Sequence, residues 1–499
     1  MPGTAEIREK KSYWERRVWE LLRNASLADM LIMSWGLEAI RTSRAEHAQR
    51  FLSFPGNPDD HKIGSPFFVP PWNIDAIVNE KLLIPQISNV RSLNLKAWPG
   101  VAKLMDTYNG LANVDGHVDI QPGGIIAAMP RLFWPQYNWQ VGYDNSLRIG
   151  KAWHVYATFE GKAAFRNKHN VDLDDFLLVA FSAYAATITH PAVKISYFDG
   201  LGFSRAYVRR CLGIISGSFA EQMRLAGKIR ADVLPRDFKR SVVKERPLFS
   251  DMYRGEQQFY VPSREMLLLR ITDGLYYDIV YDNNARRVSG DYFEELSYQV
   301  LNFYMGSAEL VEREKPTYYG MSADLFAGSK NNDFGLIVEC KIRRIPQRVL
   351  SSSNPWEACK VDFNDVIKGI VQIWRTNHAL YADTHKGMTG IVLQYEPWTL
   401  MGNAFIQDLF KAAHAQAQIL NIPESSRIPI ALVGYPDFEN CLRSFDLIDI
   451  CRGVALSTKE QFHGYQLHGV IDRFSQKKER GRNFNYNHIA SKAITWWAS

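Results

Sequence analysis

A short apolar run ends in charges that are hard to bury. Residues 335–338 read Gly-Leu-Ile-Val, and Glu339, Cys340 and Lys341 follow directly. An unbroken Leu-Ile-Val run is typical of an interior β-strand, where a carboxylate and an ammonium are costly without a partner. The pattern therefore predicts a strand that carries its two charges to the end of a sheet, where a partner can meet them.

A second predicted strand brings another carboxylate toward the first. Residues 321–327 and 334–341 are predicted to form an antiparallel hairpin around the polar turn 328–333. If the hairpin is symmetric about the middle of this turn, Asp324 lies opposite Ile337. A shift of one residue would send Asp324 to the other face of the sheet, so the register decides whether the carboxylates meet.

This register predicts which side chains converge. Side chains alternate between the two faces of a strand, and cross-strand partners share a face. Asp324, Glu339 and Lys341 are therefore predicted to point the same way, while Val338 and Cys340 point into the core. Two carboxylates beside a lysine favour Mg²⁺, which binds through oxygen ligands.

Two other interpretations of these charges stay open. Asp333 is a rival second carboxylate, although the Asn-Asn-Asp sequence that contains it is typical of a turn. A salt-bridged sheet edge without any metal would use the same three residues as the predicted metal site.

Length and composition exclude several classes of protein. The 499 residues are 46% hydrophobic, which is enough for two or three cores. Because no run of about 18 apolar residues occurs, no membrane association is predicted. The five cysteines lack C-x-x-C spacing, which favours reduced thiols in a cytoplasm. The sequence contains neither a P-loop nor a Gly-x-Ser-x-Gly elbow, which argues against a nucleotide-driven motor and a serine hydrolase.

The net charge of +6 is concentrated in two basic segments. Residues 205–246 hold eleven Lys and Arg against four Asp and Glu, and residues 473–492 hold six against one. The second segment also carries Phe474, Phe484 and Tyr486, a mixture that suits phosphate contacts and base stacking. An ordinary solvated surface is the alternative for either segment taken alone.

The order of predicted elements favours an α/β fold in the C-terminal half. A helix at 291–305 is followed by three strands at 308–313, 321–327 and 334–341. A helix at 356–381, a strand at 390–395, a helix at 404–420 and a strand at 428–434 complete the order. This order implies a mixed β-sheet flanked by helices. Residues 1–248 are predicted to be a mostly helical or mixed region for recognition or partner binding, and 249–499 a second domain. The charged stretch 236–246 is the predicted junction.

Together, these features resemble the PD-(D/E)XK nuclease superfamily, which has a restriction-endonuclease-like fold. The resemblance covers about residues 289–434. Four positions match the family's motifs: its first-helix glutamate, its Pro-Asp, its E-x-K and its second-helix glutamine correspond to Glu294, Asp324, Glu339–Lys341 and Gln372.

The resemblance implies Mg²⁺-dependent hydrolysis of phosphodiester bonds in DNA, with Mn²⁺ as a substitute metal. Asp324, Glu339 and the carbonyl of Cys340 would bind the metal, and Lys341 would orient or deprotonate the attacking water. DNA-backbone contacts are expected directly after the E-x-K segment and in the basic tail, at Arg343, Arg344, Arg348, Lys477, Lys478, Arg480 and Arg482.

Two positions depart from the family's pattern. Ala323 replaces the motif proline, and Thr376 stands where RecB-like exonucleases carry a tyrosine, so that subgroup is not implied. Glu295 is an adjacent alternative to Glu294, and Gln372 also fits an exposed polar stripe on its helix.

The biological role expected by analogy is a bacterial restriction or anti-phage defence effector. A structure-specific repair or recombination nuclease is one alternative, and a non-catalytic nucleic-acid-binding protein with a vestigial nuclease fold is another. A protein partner or a second copy of the chain is the expected ligand of the N-terminal region.

Overall fold

The computed structural model describes most of the chain, in residues 4–55, 57–84, 93–118, 145–231, 241–307, 309–318, 320–331, 333–344, 363–381, 387–396, 403–463, 465–476 and 483–498. The described residues form two compact units. Unit 1 holds those within 4–118 and 162–279, and unit 2 holds those within 145–161 and 280–498. No helix among the described residues is both long enough and apolar enough to cross a membrane.

The first 279 residues supply most of unit 1 and one helix of unit 2. Their described helices are α1 (Thr4–Arg23), α2 (Leu27–Arg41), α3 (Ala45–Ala48), α4 (Pro71–Leu82), α5 (Trp98–Val118), α6 (Asn145–Tyr156), α7 (Phe159–His169), α8 (Leu173–Ala186), α9 (Arg205–Gly213), α10 (Phe219–Arg230), α11 (Val242–Glu245), α12 (Arg264–Ile271) and α13 (Tyr276–Ile279). Helix α6 belongs to unit 2. In unit 1, helices α1, α2, α4 and α5 share one hydrophobic core, which includes the fully buried Trp35.

Unit 1 also contains a small sheet, so the N-terminal region is mixed. Its strands are β1 (Ala192–Lys194), β2 (Ser216–Ser218), β3 (Leu248–Tyr253) and β4 (Glu256–Tyr260), in the order β1-β4-β3-β2. The pair β2–β3 is parallel and the other two pairs are antiparallel.

This sheet moves the boundary that the sequence predicted. A division after residue 248 falls inside β3, whereas the compact units divide between Ile279 and Val280. The later part of the predicted junction is also packed, because Val242 and Val243 are buried in the core of unit 1. Residues 232–240 lie outside the described residues.

Unit 2 is built on a five-stranded mixed sheet, which confirms the predicted α/β class of the C-terminal half. The sheet order is β11-β10-β9-β8-β5. The described elements after residue 280 are α14 (Asn283–Tyr304), β5 (Glu309–Arg313), β6 (Pro316–Thr317), β7 (Gly320–Met321), β8 (Leu325–Ser329), β9 (Phe334–Lys341), α15 (Asn364–Thr376), β10 (Gly387–Gln394), α16 (Asn403–Ile419), β11 (Ile430–Gly434), α17 (Tyr435–Ser444), α18 (Leu447–Ser457), α19 (Leu467–Ile471) and α20 (Tyr486–Ala493).

The two faces of this sheet are covered by different helices. On one face lies α15, whose Ile373 would be 2.6 Å from a Cβ placed on Gly390 of β10. On the other face, Cys340 of β9 hydrogen bonds with Ser297 of α14. Because both faces are covered, β9 is buried along almost its whole length, as its apolar sequence predicts.

The register between β8 and β9 differs from the prediction by two residues. Leu325 pairs with Val338 and Gly328 with Gly335, so Ile337 lies opposite Phe326. The turn is centred one residue later than predicted, because β8 continues to Ser329. A shift of two residues preserves the face of every side chain. The prediction that Asp324 shares the face of Glu339 therefore does not depend on the error.

The helix before the sheet also begins earlier than predicted. Asp282 caps α14, and its side chain accepts hydrogen bonds of 2.9 Å from the backbone N–H groups of Asn284 and Ala285. The predicted start at residue 291 is wrong by about two turns, because a strong N-cap residue stood in a sequence that resembled a turn.

Candidate active site

Three strands bring their polar ends to one edge of the five-stranded sheet. Strands β9, β10 and β11 run parallel to one another, and β9 and β10 end at Lys341 and Gln394. Strand β8 runs antiparallel to β9, so Asp324, which directly precedes β8, reaches the same edge. In α/β proteins the carboxyl ends of parallel strands are a common place for ligand binding.

The structure brings three of the predicted site residues together at this edge. Asp324 Oδ2 accepts a 2.6 Å hydrogen bond from the backbone N–H of Cys340. Lys341 Nζ donates to Glu339 Oε1 at 2.5 Å. The second carboxylate oxygen, Glu339 Oε2, is buried and has no hydrogen-bond partner among the described residues. The backbone N–H of Asp324 also lowers the pKa of Glu339, yet Oε2 itself has no hydrogen bond of good geometry within the described residues.

Glu294 joins this cluster from α14. The pKa of Glu294 is raised to about 7. Burial is the largest cause, and the nearby Glu339 carboxylate is the second. The adjacent Glu295 is turned elsewhere, since its carboxylate lies 2.6 Å from Arg313 Nη1. Of the two glutamates that the sequence left as alternatives, only Glu294 is thus coupled to the acidic cluster.

Burial and mutual repulsion act together on the acidic residues. Burial, followed by Glu339 and Glu294, raises the pKa of Asp324 well above its usual range. Burial also raises the pKa of Glu339, and Lys341 only partly opposes this effect. Three neighbouring carboxyl groups therefore favour protonation when no cation is present.

The pKa of Lys341 is raised too, but for this residue a raised pKa favours the charged form. Burial tends to lower the pKa of its ammonium group, but Glu339 and Asp324 raise the pKa by more, so it stays above the usual value. At neutral pH Lys341 is therefore a charged hydrogen-bond donor. The expectation that it deprotonates water does not suit this state, whereas the expectation that it orients water does.

Helix α15 positions the segment that carries Asp324. Thr376 Oγ1 accepts a 2.7 Å hydrogen bond from the backbone N–H of Ala323. The side-chain amide of Gln372 donates to the carbonyl of Met321. Gln372 thus contacts the segment before Asp324, and the described contacts do not join it to the carboxylates themselves. No sequence motif predicted this contact of Thr376 with Ala323.

Helix α15 also packs closely against the ion pair of Glu339 and Lys341. A Cβ placed on Gly369 would lie 3.4 Å from both Glu339 Cγ and Lys341 Cε. A larger side chain at this position would push against the pair, so a glycine here keeps the helix close to the site.

Two residues of this region were missed by the sequence reasoning. Glu314 raises the pKa of both Glu294 and Glu339, and it follows β5 in the alternating sequence Glu-Arg-Glu. Gln394 lies opposite Lys341 on β10 and is 1% exposed. It ends an apolar strand, which is the same signal that identified Glu339.

The predicted DNA-contacting arginines differ in their surroundings. Arg343 pairs with Asp365 at 2.9 Å and keeps 43% of its side chain exposed. Arg344 pairs with Glu396 at 2.8 Å and is only 8% exposed, so a phosphate that binds it would have to displace Glu396. A contact between Arg344 and DNA stays a prediction. The remaining predicted contacts lie outside the described residues, at Arg348, Lys477, Lys478, Arg480 and Arg482.

The aromatic residues of the basic tail are mostly not available for base stacking. Tyr486 is buried, and its hydroxyl lies 3.1 Å from the hydroxyl of Tyr435. Phe484 packs edge-on against Phe303 with ring centres 5.6 Å apart. Of the three, Phe474 is exposed, Phe484 is half-buried and Tyr486 is buried in the core.

The oxygen atoms that the sequence predicts as cation ligands are of mixed type. No group of three or more His, Cys, Asp and Glu side chains among the described residues has a metal-binding arrangement. Two carboxylates are present, however, together with a backbone carbonyl. In a β-strand the N–H and C=O of one residue point to the same side, so the Cys340 carbonyl lies on the side of β9 where its N–H meets Asp324. The unpartnered Glu339 Oε2 is the oxygen that a cation would satisfy.

No protein-family model, curated protein or solved structure matches this chain. Function therefore has to be argued from the chemistry of the site.

Proposed function

We propose that this chain is a metal-dependent nuclease that hydrolyses phosphodiester bonds in DNA and is built on a restriction-endonuclease-like core. The observation that carries the proposal is the buried, unpartnered oxygen of Glu339 beside a second, half-buried carboxylate, Asp324. Burying such an oxygen without a partner costs about 1–3 kcal/mol or more. A Mg²⁺ or Mn²⁺ ion with oxygen ligands would offset that cost.

Each residue of the cluster has a role in this proposal. Asp324, Glu339 and the Cys340 carbonyl would hold the cation, and Glu294 adds a third negative charge. When bound, the cation supplies polarisation of the scissile phosphate and a lower pKa for a bound water. Lys341, kept as an ammonium by Glu339, donates to an oxygen of the phosphate and stabilises the charge that develops there.

Two further features support a nucleic-acid substrate. The chain carries a net charge of +6, and its segment 205–246 is strongly basic. Arg343 follows the site directly and is partly exposed, which suits a contact with the phosphate backbone.

The alternative of a vestigial, non-catalytic site is disfavoured by the same carboxylates. A protein that no longer binds a cation gains nothing from burying Glu339 Oε2 without a partner, and an apolar residue there would be more stable. Restriction or anti-phage defence is the biological setting that we propose by analogy.

Cleavage assays on several forms of DNA test the proposal. Supercoiled, linear duplex and single-stranded DNA are incubated with Mg²⁺ or Mn²⁺, and with EDTA as the metal-free control. Cleavage is expected only with metal. Lys341→Ala should lower the rate at least 10²–10³-fold, the range for losing one donor to a developing charge, and should leave DNA affinity largely intact. Lys411→Ala, at an exposed lysine on α16, is the matched control and should cut like wild type.

Asp324→Asn provides a second test. Asparagine still accepts the hydrogen bond from Cys340, but it removes the charge that would bind metal. This variant should lose both cleavage and the rise in melting temperature that Mg²⁺ produces in the wild type. If Asp324→Asn and Lys341→Ala both cut as fast as wild type, the active site lies elsewhere.

A further inference from the structure

Gln394 is a buried amide at the end of β10, and it lies beside Lys341 in the parallel pair β9–β10. Its side chain is 1% exposed. Neither the amide oxygen nor the amide nitrogen has a hydrogen-bond partner within the described part of the chain. A buried amide without such a partner destabilises a fold, so a bound molecule that hydrogen bonds with it would stabilise this site.

Gln394 lies on the same sheet face as Glu339 and Lys341. Partners in a parallel pair point to one face, and Gln394 is the partner of Lys341. Helix α15 covers this face, because Cβ atoms at Gly369 and Gly390 would contact, respectively, the Glu339–Lys341 pair and Ile373. The side chain of Gln394 therefore belongs to the sheet face, and to the end of the sheet, that carry Lys341.

The chemistry of the neighbouring groups identifies the missing partner. Lys341 offers N–H donors, and one of them is used by Glu339 Oε1. Gln394 offers one acceptor and two donors, yet it makes no direct bond to the lysine. Adjacent strands lie about 4.8 Å apart, so a molecule that both donates and accepts can bridge these two side chains. Water has this combination and is small enough to fit between them.

We infer that Gln394 positions the water that attacks the phosphate, an inference that rests on the proposed nuclease function. Lys341 Nζ donates to the water oxygen, and the water donates one hydrogen to Gln394 Oε1. The remaining lone pair of the oxygen forms the new bond to phosphorus, and the P–O bond to the leaving oxygen breaks. The other water proton passes to solvent, and the leaving oxygen takes a proton from solvent. Gln394 is thus a positioning residue for the nucleophile.

Gln394→Met tests this role, because methionine has nearly the same length and no hydrogen-bonding amide. We expect kcat to fall about 10- to 100-fold, which corresponds to one lost hydrogen bond in the transition state. KM and DNA affinity should not change, since the amide contacts the water molecule and not the bound DNA. The melting temperature should stay equal or rise, because an unpaired buried amide is replaced by an apolar group of similar shape.

Thr389→Val is the matched control on the same strand. Thr389 is buried on the opposite face of β10, and its hydroxyl hydrogen bonds within the protein. This variant should lower the melting temperature and leave kcat unchanged. The two variants therefore separate a positioning role from a structural one.

A crystal structure of the metal-free wild type gives a readout that does not depend on cleavage. We expect an ordered water within about 2.7–3.2 Å of both Gln394 Oε1 and Lys341 Nζ. A direct bond between these two side chains, or a bridging position without water, would overturn the inference.

The outcomes distinguish this inference from the proposed function. A wild type that cleaves DNA beside a Gln394→Met variant that cleaves equally fast refutes the role of Gln394 and leaves the nuclease proposal standing. A loss of cleavage that is matched by a lower melting temperature also refutes it, because the glutamine would then be structural. A wild type that cleaves none of the substrates refutes the nuclease proposal and, with it, the attacking role of the water.

Discussion

Replacing Glu294 by glutamine should make the metal-free protein more stable at alkaline pH. Burial and the neighbouring acidic residues raise the pKa of Glu294 from 4.5 to about 7. A carboxyl group with a raised pKa in the folded state stabilises the fold when protonated. That stability is fully present below pH 4.5 and is lost as the pH rises through about 7. Glutamine is neutral throughout this range, so the variant does not lose it.

The structure sets the size of this effect. At about 1.36 kcal/mol per pH unit, a pKa change from 4.5 to about 7 corresponds to at most about 3 kcal/mol at pH 8. The side chain is only half-buried and solvent screens its charge, which reduces the expected gain to about 1–2 kcal/mol. For a domain of about 150–250 residues, this gain corresponds to roughly 2–8 °C in melting temperature.

The assay compares thermal unfolding of wild type and variant in EDTA from pH 4.5 to pH 8. Because the chain forms two compact units, unfolding can occur in more than one step, and midpoints are compared at each pH separately. The two proteins should melt together near pH 4.5 and separate above pH 7. Mg²⁺ at pH 8 should raise the midpoint of the wild type more than that of the variant.

Glu295→Gln is the control for this experiment. Glu295 is adjacent in sequence but pairs with Arg313 at 2.6 Å. Its replacement should give no gain in stability at pH 8. Parallel pH profiles for wild type and Glu294→Gln, or an equal gain in Glu295→Gln, would refute the assignment of Glu294 to the acidic cluster.

Three further predictions concern the support of the site, the basic tail and the division of the chain. Thr376→Val removes the acceptor of the Ala323 N–H, so it should cost about 1–3 kcal/mol of stability in urea unfolding and should slow cleavage. Thr376→Ser should resemble wild type, and a valine variant with unchanged stability and rate would contradict this prediction. Neutralising the basic tail should weaken duplex-DNA binding and reduce its salt dependence by a slope of about 0.9 per lost phosphate contact. The residues to replace are Lys477, Lys478, Arg480 and Arg482. An unchanged slope would mean that the tail is merely solvated. A fragment that begins at Phe249, near the boundary that the sequence predicted, should be insoluble, because it lacks α6. Trp153 of α6 packs on Trp497 with 5.0 Å between the ring centres. A soluble fragment that binds metal would show that α6 is dispensable.

Local patterns in the sequence were sufficient for several features of the site. The bounds of β9 agree with the prediction, because an apolar run between a polar turn and a charged end is an unambiguous strand signal. An error of two residues in register leaves the predicted shared face of Asp324 and Glu339 unchanged, since side chains alternate with a period of two. The order of the elements in unit 2 followed from the same kind of local signal.

Only the tertiary structure decided which partners meet over long separations. Thr376 holds Ala323 from 53 residues away, and Glu295 is turned to Arg313 while its neighbour Glu294 joins the acidic cluster. Gln394 became a candidate because pairing with β9 placed it beside Lys341 and left its amide without a partner. A strand's periodicity is written in consecutive residues, whereas contacts between distant segments depend on how the whole sheet and its helices pack. For this reason, the sequence alone determined the strand that carries the charges, and packing determined what surrounds them.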